Sequence, residues 1–268
     1  MKPRKLLHRG LMRLENRAAT ADVEAFPVFC RDLPAAFQMA RVAVIADLHL
    51  PDAMLSPTRL ARCIALQKPD AIFLVGDLTN SYTAFDEDGL RTVLSLLTPI
   101  APCFAIPGNH EWREGREPHY REILTAAGVS YMCDSYADWV RDGQTLRLFG
   151  MGLRKPAPLR PGQPQPSIVL AHKPQYLPYF AAAHWDLVVC GHAHGGQVRL
   201  AGQPLFAPGQ GVFPTYTSGV YTDGDTTMVV SRGLGNSSVP FRPGNKPHIP
   251  LVILLAAPNK DQEGDADE

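Results

Sequence analysis

The feature of this chain that most limits its fold is a local pattern that occurs five times. A short apolar run, rich in β-branched residues, ends directly in a cluster of polar side chains. The five runs are residues 42–46, 71–75, 103–106, 167–171 and 186–190. Two helices are predicted between the first three runs, one from an N-cap at Ser56 to about residue 68 and one over residues 86–97. Strands that alternate with helices in this order are typical of a layered α/β fold.

The second half of the chain carries more strand signals than the first. Further strands are predicted over residues 146–151, 197–200, 215–221, 226–231 and 251–256. Because few helical patterns separate them, we expect a second sheet that packs on the first.

Polar residues that no buried strand requires follow each of the five apolar runs. Ligands of open α/β sheets bind just beyond the carboxyl ends of the strands, so we expect the five clusters to meet at one site. Seven of these residues carry oxygen or nitrogen donors: Asp47, His49, Asp77, Asn109, His172, His192 and His194. A donor set of this kind, without sulfur, suits manganese, iron or zinc.

The number of donors predicts two metal ions. Seven side chains exceed the protein ligands of a single catalytic ion that keeps an open position. Two ions about 3.5–4 Å apart need a ligand that bridges them, and a carboxylate has two oxygens for this purpose. Asp77 is the candidate bridge.

Composition narrows the class of protein. The chain has 268 residues, enough for one large α/β domain, with 26 Lys and Arg against 26 Asp and Glu. A neutral chain has no overall field to gather nucleic acid, so a dedicated nucleic-acid partner is not expected. The five cysteines are scattered, without a Cys-x-x-Cys pair, which favours a reducing compartment and a cytoplasmic location. No apolar stretch approaches the roughly 18 residues that a membrane span needs.

The two ends differ from the middle. Residues 1–40 are interpreted as a basic, partly helical lead-in, either a solvated arm or a weak peripheral anchor on an anionic membrane surface. Residues 41–257 form the predicted domain. Residues 258–268 are acidic and expected to be disordered.

Five blocks of this sequence, in order, resemble the calcineurin-like metallophosphoesterases. The blocks are Asp47-Leu48-His49, Gly76-Asp77, Gly108-Asn109-His110-Glu111, His172 and Gly191-His192-Ala193-His194. The resemblance implies an α/β fold, a four-layer α-β-β-α sandwich in which helices flank two mixed sheets. It also implies a binuclear centre, with roles for each residue. Asp47, His49 and His194 would hold one metal, Asn109, His172 and His192 the other, Asp77 would bridge them, and catalytic His110 would face the leaving group.

A narrower resemblance points to one bacterial branch of this family. Gly195-Gly196-Gln197-Val198-Arg199, and Ser231-Arg232-Gly233-Leu234-Gly235 followed by Pro240, Arg242 and Pro247, look like the branch that includes phosphodiesterases and UDP-2,3-diacylglucosamine hydrolases. Members of that branch are often anchored in a membrane, and no such segment is predicted in this sequence. It also has Gly152-Leu153-Arg154-Lys155 where relatives often carry Asp-Asp after a glycine.

Three arginines are candidate substrate contacts. Arg154 belongs to a proline-rich basic segment, residues 154–166, which is either a rim of the site or a solvated loop. Arg232 and Arg242 either contact the substrate or pair with local carboxylates.

The function expected from these observations is a binuclear metal-dependent phosphoesterase. It would hydrolyse a phosphodiester, pyrophosphate or phosphomonoester bond of a phosphorylated small molecule or a lipid-linked substrate by direct attack of a metal-bound hydroxide. The alternatives are a phosphoprotein phosphatase or nuclease of the same superfamily, and a non-catalytic protein-binding scaffold on the same fold.

Overall fold

The computed structural model of the chain describes residues 20–152, 167–236 and 241–258. Most of the strands belong to two six-stranded sheets. The first contains β1 (Asp22–Cys30), β2 (Arg41–Ile45), β3 (Ala71–Val75), β4 (Cys103–Ile106), β5 (Ser130–Tyr131) and β16 (His248–Ala256). The second contains β6 (Ser135–Arg141), β7 (Gln144–Gly150), β8 (Ile168–Leu170), β9 (Leu187–Cys190), β14 (Gly219–Asp223) and β15 (Thr226–Val230).

Both sheets are mixed. The strand order of the first is β1-β16-β2-β3-β4-β5, in which only the β16–β2 pair is antiparallel. The order of the second is β14-β15-β9-β8-β7-β6, in which the two outer pairs are antiparallel and the four inner strands are parallel. Two short hairpins follow β9 and pack beside its carboxyl end. They are β10 (Arg199–Leu200) with β11 (Gln203–Pro204), and β12 (Phe206–Ala207) with β13 (Gly211–Val212).

The described ranges contain five α-helices, of which four cover the outer faces of the sheets and the third in chain order lies at the strand ends after β4. They are α1 (Pro57–Leu66), α2 (Glu87–Leu97), α3 (Asn109–Trp112), α4 (Glu117–Ala126) and α5 (Leu177–Ala182). The helix starts follow from the sequence. Ser56 accepts a hydrogen bond from the Arg59 N–H and Pro57 occupies the first turn, while Asp86 accepts from the Gly89 N–H. Across the described ranges, no helix has the length and apolar character needed to cross a membrane.

The alternation of side chains along the strands produces a four-layer structure. In β2, Val42 and Val44 face the second sheet, while Ala43 and Ile45 face the helices. One core lies between the two sheets, a second lies between the first sheet and helices α1, α2 and α4, and a third lies between the second sheet and α5. The predicted four-layer α-β-β-α sandwich is therefore confirmed. The central strands of both sheets are buried on both faces, which explains why they appear as continuous apolar runs.

The start of the predicted domain needs correction. Residue 41 was predicted as the boundary, but β1 lies upstream of it and pairs in parallel with β16 along its whole length. Residues 22–30 are thus an integral edge strand of the first sheet, and a 3-10 turn at Ala35–Phe37 leads from it to β2. Local patterns miss this strand because its partner lies at the other end of the chain. Residues 1–19 of the lead-in, and 259–268 of the acidic tail, lie outside the described residues.

Candidate metal centre

The candidate ligands lie where the central strands of both sheets end, and their backbone is strained. Asp47, His49, Asp77, His192 and His194 all have positive φ, between 48° and 67°. This conformation is rare for residues other than glycine and costs of the order of 1–3 kcal/mol each, so it persists only where surrounding structure enforces it. Such strain is typical of functional sites.

One group of donors joins the end of β2 to the end of β9. Ligand atoms of Asp47, His49 and His194 all lie within 4.8 Å of one another. The Nε2 atoms of His49 and His194 are 3.1 Å apart, and His194 Nε2 is 3.8 Å from Asp47 Oδ1. Asp47 also accepts the backbone N–H of His192 with both carboxylate oxygens. The group is fully buried.

A second group joins the end of β3 to those of β8 and β9. Ligand atoms of Asp77, His172 and His192 also lie within 4.8 Å of one another. His172 donates from Nδ1 to the Val75 carbonyl, so in the neutral ring the lone pair of Nε2 faces Asp77 Oδ2 at 3.1 Å. His192 Nδ1 is 3.2 Å from the same Nε2. A backbone hydrogen bond that fixes a histidine tautomer in this way is common in metal sites.

The donors fit a cation because nitrogen and oxygen ligand atoms converge in both groups. Asn109 Oδ1 is buried and has no hydrogen-bond partner among the described residues. The same holds for the Nδ1 atoms of His49 and His194, on the other side of each ring from the Nε2 atoms that face each other. Buried polar atoms in folded proteins are almost always paired. A metal ion would satisfy the Asn109 oxygen and bind the Nε2 atoms that lie beside Asp47.

Electrostatics keep three of these histidines in the form that binds metal. Burial, and then repulsion from His194, lowers the pKa of His49 well below its usual range. Burial lowers the pKa of His194 to about 3, and it lowers that of His192 as well. His172 differs, because Asp77 and Asp47 outweigh burial and raise its pKa to about 9. Neutral imidazole is the ligand form of histidine.

The two aspartates differ in their affinity for protons. Burial raises the pKa of Asp47 to about 7. Burial acts in the same direction on Asp77, but the facing His172 outweighs it and holds the pKa of Asp77 well below the ordinary value. Asp77 is thus a carboxylate anion at neutral pH, and it shares one donor group with His172 and His192 and another with His49 and His110.

Asn109 and His110 open helix α3 immediately after β4. The backbone N–H of His110 donates to Asp77 Oδ1 at 2.8 Å. The Nδ1 atom of His110 accepts the backbone N–H of Ser81 at 2.9 Å, so the neutral ring carries its proton on Nε2. That Nε2 lies 3.9 Å from Asp77 Oδ2, and His110 also belongs to a third donor group with His49 and Asp77. Burial lowers the pKa of His110, which keeps the ring neutral.

Glu111 is a residue of this site to which the sequence analysis assigned no role. Its buried carboxylate accepts the backbone N–H groups of Asp77, Thr79 and Gly108 and the hydroxyl of Thr79, all at 2.8–3.0 Å. It thereby holds the loop after β3 against the loop after β4. Its position directly after His110 in the third sequence block was the available signal. Because its carboxylate accepts four hydrogen bonds, Glu111 positions Asp77 and is not a free metal ligand.

Two glycines allow these loops to approach each other. A Cβ on Gly108 would lie 2.1 Å from Asp77 Oδ1. A Cβ on Gly76 would lie 2.6 Å from the Gly108 nitrogen, and Gly76 also has φ of +89°. Only glycine fits both requirements at Gly76.

The three arginines predicted to contact the substrate differ in their surroundings. Arg154 lies outside the described residues. Arg232 donates to Glu24 at 2.9 Å and to Asp22 at 3.1 Å, which is the local-carboxylate alternative. Arg242 is buried, with 5% of its surface exposed.

All five N–H donors of Arg242 are used within the protein. Four go to backbone carbonyls, of Arg232, Gly233, Gly235 and Asn245, and Arg242 also donates to Asn245 Oδ1. Asn245 in turn donates to the His194 carbonyl at 2.6 Å. The predicted substrate contact at Arg242 is therefore corrected: this side chain fixes the loop that carries His194.

Fold and site together define a buried metal-binding centre at the strand ends of an α/β sandwich. Comparison with known proteins identifies the family of the chain. The sequence profile described as calcineurin-like phosphoesterase matches residues 40–196. The chain belongs to this family, whose members are metal-dependent hydrolases of phosphate esters.

Named relatives cover most of the chain. Phosphodiesterase YaeI of Escherichia coli is 31% identical over 239 residues, which is 85% of each protein. The uncharacterized metallophosphoesterase YkuE of Bacillus subtilis is 27% identical over 241 residues, 83% of this chain and 81% of the relative. Among solved structures, phosphopantetheinyl hydrolase from Mycobacterium tuberculosis overlaps 72% of this chain and 89% of its own, with 12% identity and a TM-score of 0.43.

Proposed function

We propose that this protein is a two-metal phosphoesterase that acts on a phosphodiester or pyrophosphate bond. The observation that carries the proposal is the arrangement of two donor groups around one carboxylate. Asp77 falls in a group with His172 and His192 and in another with His49 and His110. A carboxylate in this position can bridge two ions.

The two proposed ligand sets lie on either side of Asp77, and each contains at least one histidine that shares a donor group with it. Asp47, His49 and His194 would hold one ion. Asn109, His172 and His192 would hold the second, with the unpartnered Asn109 Oδ1 as its oxygen donor. Manganese, iron and zinc all suit the mixed nitrogen and oxygen set.

When bound, two such ions lower the pKa of water toward neutrality and offset the negative charge on the phosphoryl oxygens. The protein contributes fixed geometry. Glu111 accepts the backbone N–H of Asp77, and the backbone N–H of His110 donates to the Asp77 carboxylate. Asn245 and Arg242 hold the His194 loop. Ligands that are already in place need no reorganisation during the reaction.

His110 is the proposed catalytic side chain. Ser81 occupies Nδ1, so the proton of the neutral ring is held at Nε2, the atom on the Asp77 side of the ring. From there it would donate a hydrogen bond to the leaving oxygen of the substrate. Stabilisation of this kind by a positioned donor contributes about 10²- to 10⁴-fold to the rate.

The bond type is the finer part of the proposal. The relative from Escherichia coli is named a phosphodiesterase and aligns over most of both chains, which favours a diester or anhydride over a phosphoprotein. The substrate would be a phosphorylated small molecule or a lipid-linked phosphate ester.

A combined metal and substrate assay tests this function. Protein stripped with EDTA and reloaded separately with Mn²⁺, Fe²⁺ or Zn²⁺ is analysed for metal per chain and assayed on p-nitrophenyl phosphate, bis(p-nitrophenyl) phosphate and a nucleotide-sugar pyrophosphate. We expect about two ions per chain and the highest kcat/KM on the diester or the pyrophosphate. One ion per chain would contradict the bridging arrangement, and protein that binds metal but hydrolyses none of the three would contradict the enzyme.

A further inference from the structure

A row of aromatic rings leads from the candidate metal centre to the surface of the protein. The rings of His194 and His49 are stacked with their centroids 4.9 Å apart, and the centroids of His49 and His110 are 4.6 Å apart. The Tyr82 ring follows, with its centroid 5.2 Å from that of His110. The three histidines are buried, whereas Tyr82 is 58% exposed. These four rings, which we call the ring row, therefore connect the metal ligands to solvent by way of His110.

Arg113 lies at the exposed end of the ring row. Its guanidinium carbon is 4.9 Å from the centroid of the Tyr82 ring and lies over the ring face. Its Nη1 donates to the Ser81 hydroxyl at 3.3 Å, and the same hydroxyl is 3.0 Å from His110 Nδ1. A cation over an aromatic face and a hydrogen bond both restrict the guanidinium. Arg113 is therefore held one side chain away from His110.

Most of the N–H donors of Arg113 are open to a ligand. A guanidinium has five such donors, and in the part of the chain that the structure describes only the Ser81 hydroxyl accepts from this one. Arg116, three residues later, differs because it donates to the carbonyls of Asn80 and Thr83 and so holds the loop after β3. Arg113 is also exposed. An anion that arrives from solvent can therefore reach its donors.

The ring row follows the path that a leaving group would take. In the proposed reaction the phosphoryl group lies at the metal centre, and His110 Nε2, on the Asp77 side of its ring, faces the leaving oxygen. The rest of the leaving group must extend from that oxygen to solvent. Beyond His110, the row exposes Tyr82 and then Arg113. A negative charge on the leaving group would thus meet this guanidinium.

We propose that Arg113, held by Tyr82 and Ser81, binds a negatively charged group on the leaving group of the substrate. This group would be a phosphate or a carboxylate beyond the scissile oxygen, since both offer paired oxygens to the N–H groups of a guanidinium. Arginine also keeps its charge throughout the working pH range. The inference rests on the proposed phosphoesterase function, and it narrows the substrates to those whose leaving group carries its own negative charge.

Two matched phosphodiesters test whether this charge is recognised. The methyl phosphodiesters of 4-hydroxybenzoate and 4-hydroxybenzamide have leaving groups of nearly the same shape, and only the first carries an anion. We expect Arg113→Met to lower kcat/KM on the carboxylate ester at least about tenfold more than on the amide ester, because one charge-assisted interaction is lost. Each loss is taken relative to the wild type on the same ester, which cancels the intrinsic reactivity.

UDP-glucose separates the two sources of the charge, because attack at either phosphorus releases a phosphate. A loss in Arg113→Met that is larger on UDP-glucose than on the carboxylate ester would identify phosphate as the preferred group, and the reverse would identify carboxylate. Either result supports an anion site at Arg113. Arg113→Lys keeps the charge without the planar fork and should recover part of each loss.

A binding measurement tests the same contact without turnover. The phosphonate analogues of the two diesters, in which a CH2 group replaces the leaving oxygen, are titrated into metal-loaded protein by calorimetry. Arg113→Met should raise the Kd of the carboxylate analogue about tenfold more than that of the amide analogue. Arg121→Met removes another exposed arginine, on α4, and should leave the ratio of the two Kd values as in the wild type.

The two possible failures are distinguishable. Equal losses on both diesters in Arg113→Met, or no loss on either, would overturn this inference and leave the proposed function intact. An equal change of the ratio in Arg121→Met would also overturn it, because the effect would then come from the overall charge of the surface. Metal-loaded wild type that hydrolyses neither diester nor UDP-glucose would overturn the proposed function itself.

Discussion

Two buried polar clusters lie side by side in this molecule, and they satisfy their polar atoms in different ways. In the metal centre, Asn109 Oδ1 and the Nδ1 atoms of His49 and His194 are buried and have no hydrogen-bond partner among the described residues. In the neighbouring cluster, all five N–H donors of Arg242 meet an acceptor of the protein. Asn245 connects the two clusters through the His194 carbonyl.

This difference distinguishes a ligand site from a structural network. Both clusters contain residues that a sequence reader would mark as functional, and both are shielded from solvent. Atoms that converge as acceptors need a cation, whereas a network with matched donors and acceptors needs nothing further. Arg242 therefore belongs to the scaffold, and the residues it supports belong to the site.

The largest effect is expected from Asp77→Asn, which tests whether the metal centre binds metal ions. Asp77→Asn keeps an oxygen that can accept the His110 N–H but removes the negative charge between the two groups of histidines. We expect loss of bound metal and a fall in turnover of at least about 10³-fold, measured as metal per chain and kcat on a phosphodiester. Asp138→Asn, on an exposed carboxylate paired with Arg147, is the control and should change neither. Full metal content in Asp77→Asn would refute the bridge.

His110→Asn separates catalysis from metal binding. The Asn side-chain oxygen can still accept the Ser81 N–H, but the Nε2–H donor is lost. Turnover should fall by about 10²- to 10⁴-fold while metal content stays near that of the wild type. Metal loss equal to that of Asp77→Asn would show instead that His110 is a ligand.

Arg242→Met tests the structural half. Removal of the guanidinium leaves several buried carbonyls without a donor and should lower the free energy of unfolding by about 3–5 kcal/mol. The loss should be the same in EDTA, because the network does not depend on metal. Urea unfolding with and without EDTA measures this. Arg232→Met, whose partners Asp22 and Glu24 are about 40% exposed, should cost only about 1 kcal/mol. If Arg242→Met destabilised only the metal-loaded protein, the Arg242 cluster would depend on metal and would not be a separate structural network.

The smallest expected effect concerns His248, which lies beside the structural cluster and whose buried Nε2 has no hydrogen-bond partner among the described residues. Its Nδ1 accepts the Arg232 N–H, and Glu24, at 3.7 Å, is the nearest charged oxygen to its Nε2. Burial, and then repulsion from Arg232, Arg242 and Arg199, lowers the pKa of His248 to about 3. The native state thus excludes a proton that the unfolded chain binds below about pH 6.5, so stability is complete above that pH and is lost as pH falls toward 3.

His248→Asn should remove this pH dependence. Between pH 7.5 and 5.0, the wild type should lose about 2 kcal/mol more than the variant, since each pH unit below the unfolded pKa costs about 1.4 kcal/mol. Urea unfolding at the two pH values measures the difference, and the Asn oxygen preserves the hydrogen bond from Arg232. Parallel losses in both proteins would mean that His248 is protonated in the folded state.

Much of the fold was predictable from local patterns. The bounds of β3 and β4 agree with those predicted, and α1 begins after the predicted cap at Ser56. Hydrophobic periodicity and helix caps involve only a few consecutive residues, so both can be recognised in the sequence. The edge strand β1 was missed, because its pairing with β16 depends on contacts between opposite ends of the chain.

The roles of the arginines and of Glu111 were not predictable in the same way. Residue type alone does not distinguish a buried arginine that bonds backbone carbonyls from an exposed arginine that binds a phosphate. Only the distances around Arg242 show that it has no donor left, and only those around Glu111 show four accepted hydrogen bonds.

The layered fold and the types of donor atom at the strand ends can be predicted from the amino-acid sequence, because strand period and residue chemistry are local properties. The pairing of the buried polar groups cannot, because it depends on how the sheets and loops pack. Such pairing joins residues such as His49 and His194, which are far apart in the chain and become neighbours only when both sheets have packed.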